Sequence, residues 1–224
     1  MTRSLVTVVI PVHNGERFLA EAIESALGQI HQPVEVIVVD DGSTDGSAAV
    51  AESYPEVRLI RAENGGPGAA RNLGVAAARG DAVANLDADD LMVPERIERQ
   101  LEAVAAGADV VLSGEEHRVE EGAELPEGVT APRAPISDGR PVYHPMTFLA
   151  SRAALERIGP FADMRYGEDT DWALRAFEAG LNVVCLDEPL LVRRFHGGNA
   201  TYDFEATRGA LFSTLRARVE RKRA

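Results

Sequence analysis

Carboxylates and amides recur at the ends of apolar runs in this chain, and that spacing is where chemistry first becomes legible. LVTVVIPV (residues 5–12) is followed by His13 and Asn14, and VEVIVV (34–39) by Asp40, Asp41, Gly42, Ser43, Thr44 and Asp45. A third run is followed by Asn64 to Asn72, with Arg71 among glycines, and AVANL (82–86) by Asp87, Ala88, Asp89 and Asp90. Any one cluster has an ordinary explanation, because Asp and Asn cap helices and glycines make tight turns. Four at the same point of the strand rhythm are harder to dismiss, since capping does not ask for several carboxylates after one buried strand. Asp87-Ala88-Asp89 suits Mg²⁺ or Mn²⁺, hard ions held by one or two carboxylates while substrate phosphates complete the shell. Further on, Glu168, Asp169 and Asp171 open a helical pattern, where acids favour the helix dipole. Helical spacing groups Glu168 with Asp171 and sets Asp169 apart, so one acid can face a substrate while the others fix the helix. His196, in Arg193-Arg194-Phe195-His196-Gly197-Gly198-Asn199, would suit a metal beside the D-x-D, although a lone histidine is more often a satisfied surface or core residue.

Two other spacings are decoys. Asp41, Ser43, Asp45, Gly46 and Glu52 come close to a calcium-loop pattern, but an EF-hand needs a helix before its loop, and residues 34–39 read as a strand. Gly66-Pro67-Gly68-Ala69-Ala70-Arg71 nearly matches the dinucleotide G-x-G-x-x-G, with Arg71 in the third glycine's place and after the third strand. Neither calcium nor NAD is expected. Arg71 remains a cation beside a helix start, which suits an anionic ligand.

The elements that carry these residues alternate. Strands at 5–12, 34–39, 57–61, 82–86 and 108–112 are separated by helical patterns at 18–27, after Ser43, and at 68–78 and 94–106. Such alternation predicts right-handed crossovers and a mainly parallel sheet, which binds ligands beyond the carboxyl ends of its strands. Residues 114–140, rich in Glu, Pro and Gly, read as a mobile insertion or boundary. Order is expected to return at 142–149, with helices at 151–158 and 168–179, two short strands within 181–195, and a last helix beyond Asp203.

Composition narrows the function. The 224 residues carry 23 basic and 36 acidic side chains, net −13, with 45% hydrophobic residues, as in an ordinary globular protein of one large domain. The acidity argues against nucleic-acid binding. Lys222 is the only lysine and Cys185 the only cysteine, which excludes a P-loop, disulfides within the chain and multi-cysteine zinc sites. No apolar stretch reaches the roughly 18 residues of a membrane span, and no signal-peptide pattern opens the chain, so a cytoplasmic protein is expected.

In order and spacing, VVIPVHNGERFLAEAIESALGQ, VIVVDDGSTDGS, ENGGPGAARNLGV, NLDADD and GEDTDWALRAFEAG resemble the family-2 glycosyltransferases of GT-A fold, from Val6 to about Thr201. The resemblance implies an α/β fold, a Rossmann-like mainly parallel sheet with helices on both faces and a smaller mixed acceptor-side region. It implies a single domain with a nucleotide-sugar half (1–113), an acceptor and catalytic half (114–201) and a C-terminal helix with a basic tail (202–224). The implied activity is metal-dependent, inverting transfer of a sugar from a nucleoside diphosphate sugar, expected to be a UDP-sugar, to a saccharide, lipid-linked or other hydroxyl acceptor, as in the making of cell-envelope polysaccharide. Carried over by position, Pro11, Val12 and Asn14 look like the segment against base and ribose, and Asp41, with Asp40, like the carboxylate facing the base. Asn64 and Arg71 resemble the pair near base and phosphate. Asp87, Ala88 and Asp89 match the D-x-D, with Asp87 towards the ribose and Asp89 towards Mn²⁺ or Mg²⁺. Asp169 matches the catalytic base, and His196 is similar to a late metal-ligating histidine found in some members. His13 departs from the pattern, standing where Tyr is more usual.

Two rival readings remain. A metal-dependent nucleotidyltransferase would usually want lysines for a triphosphate. An inactive nucleotide-sugar binder is disfavoured by the intact D-x-D and Glu168-Asp169 pair. Acceptor recognition is expected within 114–148, including His144. The last nine residues hold Arg216, Arg218, Arg221, Lys222 and Arg223. They read first as a solvated helix end and alternatively as a contact with anionic lipid at the inner membrane face. Setting aside those five basic groups and Glu220 from the 23 and 36 leaves 18 basic and 35 acidic, net −17, in residues 1–215. A body so acidic predicts that donor binding leans on a divalent cation and Arg71.

Overall fold

Val6, Val8, Ile10 and Val12 lie on one face of the first strand and Thr7 and Val9 on the other, and every one of the six is buried. A strand buried on both faces must have helices above and below it, and the computed structural model has that arrangement. It describes residues 4–125, 145–164, 166–199 and 209. The strands are β1 (Val6–Val12), β2 (Val34–Asp41), β3 (Val57–Ala62), β4 (Ala82–Asn85), β5 (Leu91–Met92), β6 (Val110–Val119), β7 (Leu149–Ser151) and β8 (Val183–Phe195). The helices are α1 (Glu16–Leu27), α2 (Ser47–Glu52), α3 (Pro67–Ala77), α4 (Arg96–Ala105), α5 (Arg152–Ile158) and α6 (Glu168–Glu178).

One sheet of order β3-β2-β1-β4-β7-β6-β8-β5 runs through the described chain. β3, β2, β1 and β4 are parallel, β7 is antiparallel to β4 and β6, β8 runs parallel to β6, and β5 pairs antiparallel with β8. The parallel half and the mixed half thus share β4–β7 pairing. One core packs Leu19, Ile23 and Ala26 of α1, Ala51 of α2 and Ile97 of α4 against Val6, Val8, Ile10, Val36 and Val38. The opposite core packs Ala70 of α3, Leu155 of α5 and Trp172 and Ala176 of α6 around Val9, Ile37, Val39 and Phe148. α3 approaches β1 closely at Gly74, where a Cβ would stand 2.3 Å from a Val9 methyl. Phe148, Phe161 and Trp172 stack at centroid distances of 4.5 to 6.1 Å and join α6 to the sheet.

Two expectations change, and one strand had not been expected. The acidic stretch after residue 113 is not wholly a loop, because β6 continues to Val119 alongside β8. Its charges fit a strand since Glu115 is buried against His117 and Arg193 rather than facing water. Residues 181–195 are one strand rather than two: Pro189, which reads as a break, falls where the register with β6 shifts at Gly114. The two-residue β5 is too short to leave a periodic signal. The expected insertion beyond residue 125, His144 and the last helix with its basic tail fall outside the described residues, apart from residue 209. Among the described residues, no helix is long and apolar enough to cross a membrane.

A polar tie crosses the second core. The Thr7 hydroxyl donates to Glu35 Oε2 at 2.7 Å, and the Arg79 backbone N–H and Nε donate to the same carboxylate at 2.8 and 2.6 Å. Burial pushes the Glu35 carboxyl up, but these donors outweigh it and hold it below its ordinary value. A depressed pKa stabilises the fold above the unfolded carboxyl pKa, and that contribution is lost as pH falls through the folded value. Glu35→Gln should therefore cost about 1–3 kcal/mol at pH 7, measured by urea unfolding, with the gap to the parent chain closing as the pH is lowered into the acid range.

Candidate active site

The carboxyl ends of β1, β2 and β4, the start of α3 and the end of β8 enclose a cavity of about 1020 Å³. Its floor at one end is made by the loops after β1 and β2. His13 Nδ1–H donates to the Asp41 carbonyl at 2.8 Å, and the Asn64 amide stands 3.1 Å from the same nitrogen. Asn14, the one described non-glycine residue in the left-handed region (φ 53°), accepts from Thr44 N–H at 2.8 Å through Oδ1. Asp45, part of the calcium-like spacing, accepts from the Glu16 and Ser47 backbone N–H groups and so acts as a cap.

Asp41 is set by α3. The Gly65 and Gly66 backbone N–H groups donate to its two carboxylate oxygens at 2.8 and 2.9 Å. Gly66 has φ 85°, a conformation only glycine adopts without strain, and Pro67 then begins the helix. Asp40 faces elsewhere: its Oδ1 accepts from Ser43 N–H at 2.9 Å, and it does not line the cavity. Pro11, Val12, Asn14, Asp41, Asn64, Arg71, Asp87, Ala88, Asp89 and His196 all line it.

Arg71 is 5% exposed and stands between two acids. Nη1 donates to Glu168 Oε1 at 2.6 Å and Nη2 to Asp87 Oδ1 at 2.9 Å. Burial opposes its charge, yet Asp87 and Glu168 outweigh burial and strengthen its hold on the proton. The expectation of an arginine reserved for an anionic ligand is thus modified, because both terminal nitrogens already carry carboxylates. Asp87 Oδ1 also accepts from the buried Asn85 amide at 3.1 Å, while Arg96 beneath donates to the Asn85 carbonyl at 2.9 Å. Burial pulls the Arg96 pKa down to about 10, with Asp90 and Asp87 resisting.

Asp89 Oδ2 lies 3.1 Å from His196 Nε2 and accepts from the Asn199 amide at 2.9 Å. The His196 ring packs 4.5 Å from that of Phe18. Behind them Asp90 accepts from Arg194 N–H at 2.9 Å, and its carboxyl is pushed well above the ordinary range by burial and then by the charges of Asp89 and Asp87. Arg194 is itself engaged, forking onto Glu21 at 3.2 and 2.7 Å. The D-x-D region thus gathers three carboxyl groups at one strand end, a donor set that suits a divalent ion. Among the described residues, no group of three or more His, Cys, Asp or Glu side chains is placed to hold one. Asp89 and His196 could supply two ligands to an ion whose other ligands come from phosphates and water.

On the first turn of α6, Glu168 goes to Arg71 and Asp171 to Arg175 Nε at 2.8 Å. Asp169 is half-buried and, among the described residues, accepts from its neighbour Thr170, through the N–H at 2.5 Å and the hydroxyl at 3.2 Å. Asp163, Met164 and Tyr166 line the cavity, and Asp169 is not among the residues that line it. Sequence reading named Asp90 beside the D-x-D and Arg194 and Asn199 beside His196 without giving them a role, and gave none to Asn85. Asp90 had a signal in its adjacency to the D-x-D, whereas Asn199 meets Asp89 across 110 residues and had none.

Glycosyl transferase family 2 matches the chain over residues 7–159, which contain every strand-end cluster just described up to Asp90. The chain belongs to this family. Its similarity to the glycosyltransferase EpsJ of Bacillus subtilis (strain 168) is 31% identity over 216 residues, covering 88% of the chain and 63% of EpsJ. To the succinoglycan biosynthesis protein ExoO of Rhizobium meliloti (strain 1021) it is 47% over 111 residues, 48% of the chain and 32% of ExoO. The chain thus spans less than two-thirds of these relatives. Among solved structures, S. aureus TarS 1–349 in complex with UDP-GlcNAc superposes with TM-score 0.71 at 24% identity over 88% of the chain and 60% of TarS 1–349. The mannosyltransferase PcManGT from Pyrobaculum calidifontis, in complex with GDP-Man and Mn²⁺, gives 0.68 at 23% over 86% and 57%. These likenesses establish the GT-A fold for the family-2 chain.

Arg71→Met should cost about 3–5 kcal/mol, because it leaves the Glu168 carboxylate buried without its cation. Adding Glu168→Gln should recover part of that loss, read as the shift in urea midpoint of single and double variants.

Proposed function

We propose that the chain catalyses transfer of a sugar from a nucleoside diphosphate sugar to an acceptor hydroxyl, with inversion at the anomeric carbon. The observation that carries this reading is the convergence, in one cavity of a family-2 chain, of a polar nucleoside end (His13, Asn14, Asp41, Asn64) with Asp87, Asp89 and His196. That TarS and PcManGT are known in complexes with UDP-GlcNAc and GDP-Man supports a nucleotide-sugar donor. A UDP-sugar is our choice, since Asp41 can accept the ring N–H of uracil on lone pairs that Gly65 and Gly66 leave open.

Asp89 and His196 would hold Mn²⁺ or Mg²⁺, which when bound supplies positive charge for the leaving diphosphate. The rest falls to the chain. Arg71 holds Asp87 in place towards the ribose hydroxyls. Asp169, whose neighbours Glu168 and Asp171 are committed to arginines, takes the acceptor proton as the hydroxyl oxygen bonds to the anomeric carbon and the bond to the diphosphate breaks. A single displacement on the opposite face inverts the anomeric configuration. Asp169 must be brought against the acceptor by the bound substrates, as catalytic contacts in ligand-free enzymes often tighten only on binding.

Release of nucleoside diphosphate from a donor panel, with and without EDTA, tests the reading. We expect release to stop on chelation, and Asp169→Asn to keep donor affinity within about twofold while slowing transfer about 10²–10⁴-fold. Turnover unchanged by that substitution would remove Asp169 from its role. Contact of the basic tail with anionic lipid is a separate proposal, and liposome sedimentation before and after deleting residues 216–224 checks it, with lost binding expected.

A further inference from the structure

One oxygen of Asp89 is met by two donors from beyond β8. His196 Nε2–H donates to Oδ2 at 3.1 Å, and Asn199 Nδ2 donates to the same oxygen at 2.9 Å. Asn199 also reaches back along its own segment. Its Oδ1 accepts from the His196 backbone N–H at 2.8 Å, and its Nδ2 donates a second time, to the Arg194 carbonyl at 2.9 Å. The sense of this amide is therefore determined: its oxygen faces an N–H, and its nitrogen faces a carboxylate and a carbonyl, so turning it over would break all three bonds. One side chain ties the D-x-D to the end of β8 and to the backbone of His196, across 110 residues. The His196 ring is confined as well. It packs 4.5 Å from the ring of Phe18, and a Cβ at Gly198 would stand 3.2 Å from its Cε1 and Nδ1.

A carboxylate that holds a metal ion is aimed by the groups that hydrogen-bond it, and a ligating histidine by what fixes its ring and backbone. The two donors on Asp89 Oδ2 differ in what else they must do. His196 Nε2 cannot offer a lone pair to a cation while it donates to Asp89, so its bond to Oδ2 is given up when it serves as a ligand. The Asn199 amide has no competing use, because its oxygen is already taken by the His196 N–H. It is the donor that stays on Oδ2 among the described residues, leaving the other carboxylate oxygen for an ion. Resting on the metal role given to Asp89 and His196 under the proposed function, we propose that Asn199 is a positioning residue for the divalent cation, acting through its amide donor to Asp89.

The test uses the full chain. UDP, GDP and dTDP are titrated with Mn²⁺ present, and the best binder is kept saturating while free Mn²⁺ is followed by EPR against a protein-free control. Asn199→Ala should weaken Mn²⁺ binding about 10–100-fold, as loss of a partner to a metal ligand does. Asn199→Ser retains a hydroxyl that can accept from the His196 N–H but lacks the amide donor to Asp89, and it should weaken Mn²⁺ binding in the same range. Raising Mn²⁺ until either variant is saturated should return its nucleoside diphosphate affinity to within about twofold of the parent chain, which a disrupted fold would not allow. Unchanged Mn²⁺ affinity in Asn199→Ala overturns the proposal. So does parent-like Mn²⁺ binding by Asn199→Ser, which would give the effect to the turn. A loss of nucleoside diphosphate affinity that added Mn²⁺ leaves in place also overturns it, because Asn199 would then be structural only. If Asn199→Ala folds poorly, Asn199→Ser carries the comparison alone. Failure of the glycosyltransferase reading appears separately, as no Mn²⁺-dependent nucleoside diphosphate binding by the parent chain in the first titration, and it overturns the role of Asn199 with it.

Discussion

The buried bridge from Asp87 through Arg71 to Glu168 is the constraint on which the site depends. Its partners come from the end of β4, the first turns of α3 and the start of α6, with 97 residues between Arg71 and Glu168. A buried pair of this kind contributes less to net stability than its short contacts suggest, because removing charges from water offsets much of their attraction. What it supplies is position. Glu168 cannot leave Arg71 without exposing an uncompensated charge, so the first turn of α6, and Asp169 with it, is held to the wall that carries the D-x-D. The stacked rings of Phe148, Phe161 and Trp172 hold the same helix from the apolar side.

Charge explains the other end of the cavity. Asp87, Asp89 and Asp90 are crowded after one strand, and the nearby buried arginines are engaged, Arg96 with the Asn85 carbonyl and Arg194 with Glu21. The result is three carboxyl groups beside a cleft that, under the proposed function, takes a diphosphate. Under the same reading, a divalent cation held by Asp89 and His196 would supply the positive charge that a diphosphate needs there.

Much of the parallel half was legible because its signals are local. Residues 6–12 and 34–41 are apolar on both faces, α1 carries its apolar stripe at helical spacing, and glycines mark where α3 begins. The misread segments share a cause. Glu115 and Glu116 look like loop residues until β8 pairs them with Leu191 and Val192 and brings Arg193 within 3.5 Å of Glu115. Pro189 looks like a strand break until the register shift accommodates it. Arg71 looks like a ligand cation until α6 places Glu168 against it.

The order of the strand-end clusters and their residue types were set by the sequence alone, and with them the family, the sheet's parallel half and the D-x-D with its need for positive charge. Those features depend on neighbours within a few residues, where backbone geometry leaves few choices. Tertiary structure decided the division of labour: Asp40 to a turn, Asp41 to the cavity, Glu168 to Arg71, Asp171 to Arg175, and Asn199 with His196 to Asp89. Each depends on a contact between groups distant in sequence or on which face of an element meets the cavity. Packing alone fixes such contacts, because a carboxylate takes whichever donor the fold brings within hydrogen-bond reach.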